Sequence, residues 1–341
     1  MIRSWLISAA AGTLLAAGSV GADAASLTLY CGADETWCQQ MARGFEEETG
    51  ITVDMTRKSA GEIYAQLKAE ASNPKGDIWW AGTGDPHLQA AEEGLTEEYT
   101  SPLMSELHDW AIKQAETGAH RTVGVYSGAL GFGYNKDLLA KNGLPEPKCW
   151  ADLTKPEYKG QIQIANPNSS GTAYTMLATM VQLMGEEKGF EYMKALHKNV
   201  NQYTKSGSAP IKAAGLGETT IGIVFMHDSV AQTVAGFPVV TVAPCEGTGY
   251  EIGSMSIIKG ARHLDEAKKF YDWALRADVQ SKAQEVKSFQ LPSNKAATQS
   301  KAAPDLSTIK LIAYDFKKYG SSEERKRLLK KWDDDVASLP Q

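Results

Sequence analysis

Strand-like and helix-like segments alternate along most of this chain, and twice a long, glycine-containing extended run breaks the alternation. Ser26 to Tyr30 reads as a strand, Glu35 to Thr49 as an amphipathic helix closed by Gly50, and Ile51 to Met55 as a second strand. Ser59-Ala-Gly-Glu62 matches a capping box opening a helix through about Ser72. Gly76 to Trp80 is a third strand, ending in Ala81-Gly-Thr-Gly84 and a further helix from about Asp85. Strands alternating with helices imply a mostly parallel, doubly wound sheet.

The two interruptions, Thr122 to Asn135 and Tyr250 to Ile258, are long enough to carry the chain between lobes. Glycines near Ser127–Gly133 and Gly247–Gly253 suit them to a hinge. Between them the pattern repeats: Gln161 to Ile164 is a strand, Gly171 to Met184 and Phe190 to Lys198 are helices, and Asn201 to Thr204 is a strand. Ser206-Gly-Ser-Ala-Pro210 opens a helix through Leu216. Ile221 to Phe225 is a buried strand running into a helix at Met226-His-Asp-Ser229, and Val239 to Val242 is another strand. From His263 onward the chain reads as largely helical. The expected fold is α/β and two-lobed, a venus-flytrap (type II) binding-protein fold with two extended inter-lobe crossings and a cleft between the lobes. Its expected divisions are a signal peptide at 1–24, an N-lobe of 25–128 with 255–300, and a C-lobe of 129–254 with 301–341.

Residues 1–24 carry Arg3, an apolar run too short to span a bilayer, and the small-residue site Ala22-Asp-Ala24, as a cleaved secretory signal does. Arg3 and Asp23 cancel, so the exported part keeps the formal net charge of −6, which does not suit nucleic acid or an anionic membrane. Cys31, Cys38, Cys149 and Cys245 all lie in that part, and an even count in an oxidising compartment favours disulfides. Four cysteines allow three connectivities, of which Cys31–Cys38 with Cys149–Cys245 is the expected one. The competing metal site lacks any CxxC pair or matching His spacing.

Asn166-Pro-Asn-Ser-Ser-Gly-Thr172 crowds hydroxyls and backbone N–H groups at a helix N-terminus, which makes a cradle for an anion. Ser59, Ser206–Ser208 and the Gly82-Thr83-Gly84 strand end offer similar donors, although each could also be an ordinary cap. Lys205 is the candidate cation. Trp79 and Trp80 alternate faces of a strand, so one at most could reach a cleft. Core packing is the simpler fate for Tyr134, Tyr174 and Tyr250.

Several segments together resemble the periplasmic solute-binding proteins of ABC importers, in the branch often called iron(III)-binding. They are Phe45-Glu-Glu-Glu-Thr-Gly-Ile-Thr-Val53, Lys148-Cys-Trp-Ala-Asp-Leu-Thr-Lys-Pro-Glu-Tyr-Lys-Gly160, Ser169-Ser-Gly-Thr172 and Gln290-Leu-Pro-Ser-Asn294. The resemblance implies a pair of ligand tyrosines after the strand Ile221–Phe225 in ferric-binding members, but here Met226-His227-Asp228 stands there. Losing both phenolates argues against iron. His227-Asp228 with Glu251 and Ser59 is instead similar to the hexose-phosphate-binding members. That likeness implies a phosphate end of Ser59, Thr83, Ser169, Ser170, Gly171, Thr172 and Lys205, and a sugar end of His227, Asp228 and Glu251.

The expected function is capture of a hexose phosphate, glucose 6-phosphate or similar, for import. Another phosphorylated solute or 2-aminoethylphosphonate is the alternative, then ferric ion, and a periplasmic phosphatase stands further off. No Gly-x-Ser-x-Gly elbow, His-Glu-x-x-His or P-loop occurs, and the neighbours His227 and Asp228 are expected to point apart, so no enzyme is expected. The expected partners are the small phosphorylated ligand and, transiently, a permease of the inner membrane. No metal or cofactor, no nucleic acid and no second copy of the chain is expected.

Overall fold

The computed structural model describes residues 25–340, so the expected signal peptide at 1–24 lies outside the described residues. The strands are β1 Ser26–Cys31, β2 Thr52–Arg57, β3 Ile78–Thr83, β4 Val123–Asn135, β5 Ile162–Ala165, β6 Val200–Thr204, β7 Ile221–Phe225, β8 Val239–Val242, β9 Tyr250–Ile257 and β10 Leu291–Pro292. Their order is β2-β1-β3-β9-β4-β7-β5-β6, with β8 and β10 also on β4. The outer pairs are parallel, as strand–helix alternation requires. The middle is antiparallel: β9 lies against both β3 and β4, and β4 against β7. The sheet is thus mixed and not mostly parallel, because one crossing carries the chain out and the other brings it back.

β4 and β9 pair along Val123–Ala129 and Tyr250–Met255, so the two crossings run side by side between two apolar cores. One core gathers Leu27, Leu29, Phe45, Trp80 and Phe270, and the other gathers Phe132, Trp150, Ile162, Tyr174 and Ile223. Helix Glu35–Thr49 serves the first with Trp37, Met41 and Phe45, a spacing of four that makes one stripe, and Gly50 at φ 70 ends it.

The C-terminal part is less helical than its composition suggests. Helices Leu264–Ala274 and Ala277–Ser281 give way to a largely irregular stretch that lasts until Phe316–Tyr319. Pro292 and Pro304 interrupt any helix there, and Leu291–Pro292 pairs instead with Tyr126 and Ser127 of β4. Helix Ser322–Trp332 then puts Leu328 and Trp332 into the second core. Its Ser322 N–H donates to Glu92, and Lys326 pairs with Glu93 at 2.6 Å, at the end of the helix Gly84–Glu92.

Both disulfides form as expected, Cys31–Cys38 across 7 positions and Cys149–Cys245 across 96. A longer loop loses more chain entropy on closure, so replacing Cys149 and Cys245 by Ala is expected to cost about 2–5 kcal/mol, more than removing Cys31–Cys38. Urea unfolding of the two variants checks the order.

Candidate ligand-binding cleft

The carboxyl ends of β1, β2, β3 and β7 converge on one cleft of about 460 Å³. Ligands of open α/β sheets bind at strand carboxyl ends, where helices begin. One wall carries Asp34, Arg57, Ser59, Gly82 and Thr83, and the facing wall carries Ser170, Gly171, Thr172, Gly207, Ser208, His227 and Asp228. Tyr126 and Glu251 come from the crossing strands β4 and β9, and Gln290 from just before β10.

Donors fill one end. Ser170 caps the helix Gly171–Met184 by accepting from the Ala173 N–H at 3.5 Å, and Gly171 and Thr172 of that first turn, whose N–H groups have no partner within the helix, line the cleft. Thr83 is 3% exposed, and its hydroxyl has no partner among the described residues. Gly171 and Thr83 meet across the cleft: a Cβ on Gly171 would fall within 2.8 Å of Thr83 Cβ and closer still to its hydroxyl. Arg57 lines the same cleft, its Nε donating to the Ala33 carbonyl at 2.9 Å and its charge reaching both Asp34 and Asp228.

Acidic groups and an imidazole fill the other end. His227 stands in the first turn of the helix Met226–Val234, stacks on Phe225, and sits where Gly128 of β4 leaves room, since a Cβ there would lie 2.7 Å from its Cε1. Its Nε2 lies 3.6 Å from Asp228 Oδ1 and 3.7 Å from Glu251 Oε1. The two neighbours therefore converge, contrary to the sequence expectation, because a helical first turn does not alternate faces as a strand does. Burial pushes the His227 imidazole down to about 3, so the ring is neutral. Burial, and then the Asp34 charge, raises the Asp228 carboxyl well above the carboxylate range. Burial, and then Asp228, does the same to Glu251. Two buried carboxyls short of donors and a neutral imidazole suit a ligand with several hydroxyl groups.

The walls also touch each other. The Gly61 N–H donates to the Ser169 carbonyl at 3.1 Å, and the Ser59 hydroxyl to the Lys205 carbonyl at 3.1 Å. Arg57 donates to the Ser206 hydroxyl at 3.2 Å, while Asp34 accepts from Ser208 at 2.9 Å and from Lys212 at 2.8 Å. Burial would raise the Asp34 carboxyl, but Lys212, Ser208 and Arg57 outweigh it and hold it below the usual range.

Eight of the ten expected ligand residues line this cleft: Ser59, Thr83, Ser170, Gly171, Thr172, His227, Asp228 and Glu251. Ser169 and Lys205 do not. The Ser169 hydroxyl is spent on the Asn166 and Lys205 carbonyls, and the Lys205 side chain is exposed, only its carbonyl joining the closing contacts. Trp79 and Trp80 are both core. Asp34, Arg57, Tyr126 and Gln290 were not anticipated. For the first two a signal existed, since Asp34 follows β1 and Arg57 ends β2, the carboxyl ends where such sheets hold ligands. Among the described residues, Cys149, Cys245 and Glu246 are the one trio of metal-ligand side chains whose ligand atoms all lie within 4.8 Å of one another, and its two sulfurs are bonded to each other. No described helix is long and apolar enough to cross a membrane.

A family model described as bacterial extracellular solute-binding protein matches residues 73–318. An uncharacterized protein of Haemophilus influenzae is 46% identical over 329 residues, 95% of each chain. The periplasmic binding protein AfuA of Actinobacillus pleuropneumoniae, solved with exogenous fructose 6-phosphate bound, is 46% identical, with a TM-score of 0.91 over 93% of this chain and 100% of its own. The periplasmic binding protein P5PA is 40% identical, with a TM-score of 0.89 over 92% of this chain and 99% of its own.

Proposed function

Since the chain belongs to the bacterial extracellular solute-binding proteins, which serve ABC importers and are not enzymes, we propose that its solute is a hexose phosphate, glucose 6-phosphate or a close isomer. One observation carries the reading: the cleft has two chemically opposite ends. Helix-terminal N–H groups, the Thr83 hydroxyl and Arg57 make a cradle for a phosphate monoester at one. Asp228, Glu251 and His227 accept and share sugar hydroxyl protons at the other. That AfuA carries fructose 6-phosphate supports the same choice.

In this reading residues 1–24 direct secretion across the inner membrane and are cleaved off near Ala24, and the protein works in the periplasm as a monomer. Residues 25–128 with 255–300 form one lobe and 129–254 with 301–341 the other. The lobes close over the sugar phosphate, and the closed form is presented to the permease.

Calorimetric titration with glucose 6-phosphate, free glucose, 2-aminoethylphosphonate and ferric citrate tests the ligand. Glucose 6-phosphate is expected to bind tightly and glucose weakly, because glucose cannot use the donor end. Tight binding of iron or of the phosphonate, with no response to the sugar phosphate, would overturn the reading.

A further inference from the structure

β3 and β9 fall out of step beside the cleft. Trp80 pairs with Met255 and Thr83 with Gly253, so three steps along β3 answer two along β9, and β3 carries one extra residue. At this bulge Ala81 has φ 67, in the left-handed region that residues with a Cβ seldom adopt, and it is fully buried. Side chains alternate along a strand, so the extra residue reverses the face on which Thr83 emerges. Thr83 is the residue whose unpartnered hydroxyl lines the donor end of the cleft.

His87, on the helix Gly84–Glu92, lies against the bulge with no exposure to solvent. Its Nε2 lies 3.3 Å from the Ala81 carbonyl and its Nδ1 2.8 Å from the Ser256 hydroxyl of β9, while its ring stacks on Trp79 at 3.5 Å. A carbonyl only accepts, so Nε2 carries the proton and Nδ1 accepts from Ser256. The ring thus ties the bulged strand to the strand it has slipped against, and the next residue, Gly82, donates its N–H to the Tyr126 hydroxyl at 3.2 Å.

We propose that His87 is a positioning residue for the ligand: by holding the Ala81 carbonyl it keeps the bulge in its left-handed form and so aims Thr83 into the cleft. This rests on the sugar-phosphate reading of that cleft. Glycine adopts the left-handed region freely, so a glycine at position 81 would need no such hold. A histidine that merely fills the core would show no dependence on residue 81.

The test is calorimetry with glucose 6-phosphate on the wild type, His87→Leu, Ala81→Gly and the double variant. His87→Leu is expected to lose affinity about tenfold, the scale of one strained backbone residue, and Ala81→Gly in the same chain to restore most of it. Wild-type affinity in a folded His87→Leu protein overturns the proposal, as does a loss that Ala81→Gly leaves unchanged. Should His87→Leu be too unstable to titrate, the comparison of Ala81→Gly with the double variant decides. Equal affinities support the hold, and a further loss on adding His87→Leu overturns it. If the wild type binds no glucose 6-phosphate, the ligand reading fails instead. The hold is then read from amide exchange at Gly82, which His87→Leu should speed and the double variant restore; unchanged exchange overturns it.

Discussion

In the Asp228→Asn variant, glucose 6-phosphate binding is expected to weaken by about 1.5–3 kcal/mol, the scale of charge-assisted hydrogen bonds, while the unliganded protein melts at a higher temperature at neutral pH. The two effects share one cause. Burial raises both carboxyls, helped by the Asp34 charge at Asp228 and by Asp228 at Glu251, so the folded protein holds their protons more tightly than the unfolded chain does. Stability from such groups is fully present below the ordinary carboxylate range and is lost as pH rises through their raised values. At neutral pH they therefore weigh against the fold, and an uncharged amide removes that weight. The same amide cannot accept from sugar hydroxyls as a carboxylate does. Calorimetry and thermal melts from pH 4 to 8 separate the effects: the melting advantage of Asp228→Asn should widen with pH, and unchanged affinity would remove Asp228 from the site.

Gly171→Ala is expected to act in the opposite sense, sparing the fold and disabling closure. Alanine is the better helix former by about 0.5–1 kcal/mol, so the helix Gly171–Met184 should not suffer. In the closed form, however, its Cβ would collide with Thr83 on the facing wall, and a backbone-anchored methyl cannot swing aside. Affinity falls by the factor by which the competent state is depleted, here about a hundredfold or more. Small-angle scattering should show the variant unable to contract with glucose 6-phosphate at concentrations that contract the wild type. Full contraction at wild-type affinity would mean that the walls do not meet here when ligand binds.

That contact also marks where sequence reading stops. The run Ser169 to Thr172 can be recognised because a helix N-terminus is built from neighbours in the chain, and an even count of four cysteines behind an expected signal peptide points to disulfides, the observed pairing being one of three connectivities. Asp228 and Glu251 came through likeness to a family, and nothing local distinguishes either from an ordinary surface acid. Arg57 and Asp34 were missed because their role exists only once β1 and β2 lie side by side with their ends at the cleft. Lys205 suggests itself by its charge, yet it offers its carbonyl. The bulge at Ala81 left no trace in composition, since it is a mismatch of register between β3 and a strand some 170 residues later.

The side-by-side course of β4 and β9 has a further consequence. Two antiparallel strands joined by a hydrogen-bonded ladder can twist together, but they can neither slide nor part without breaking it. If the lobes close as proposed, the ladder favours a turning of one lobe against the other over a sliding of the two. In the proposed reading, a permease touching the outside of the protein would meet the outline that this turning sets. On that reading the ligand would be read inside the cleft, and the transporter would read only the outline that results.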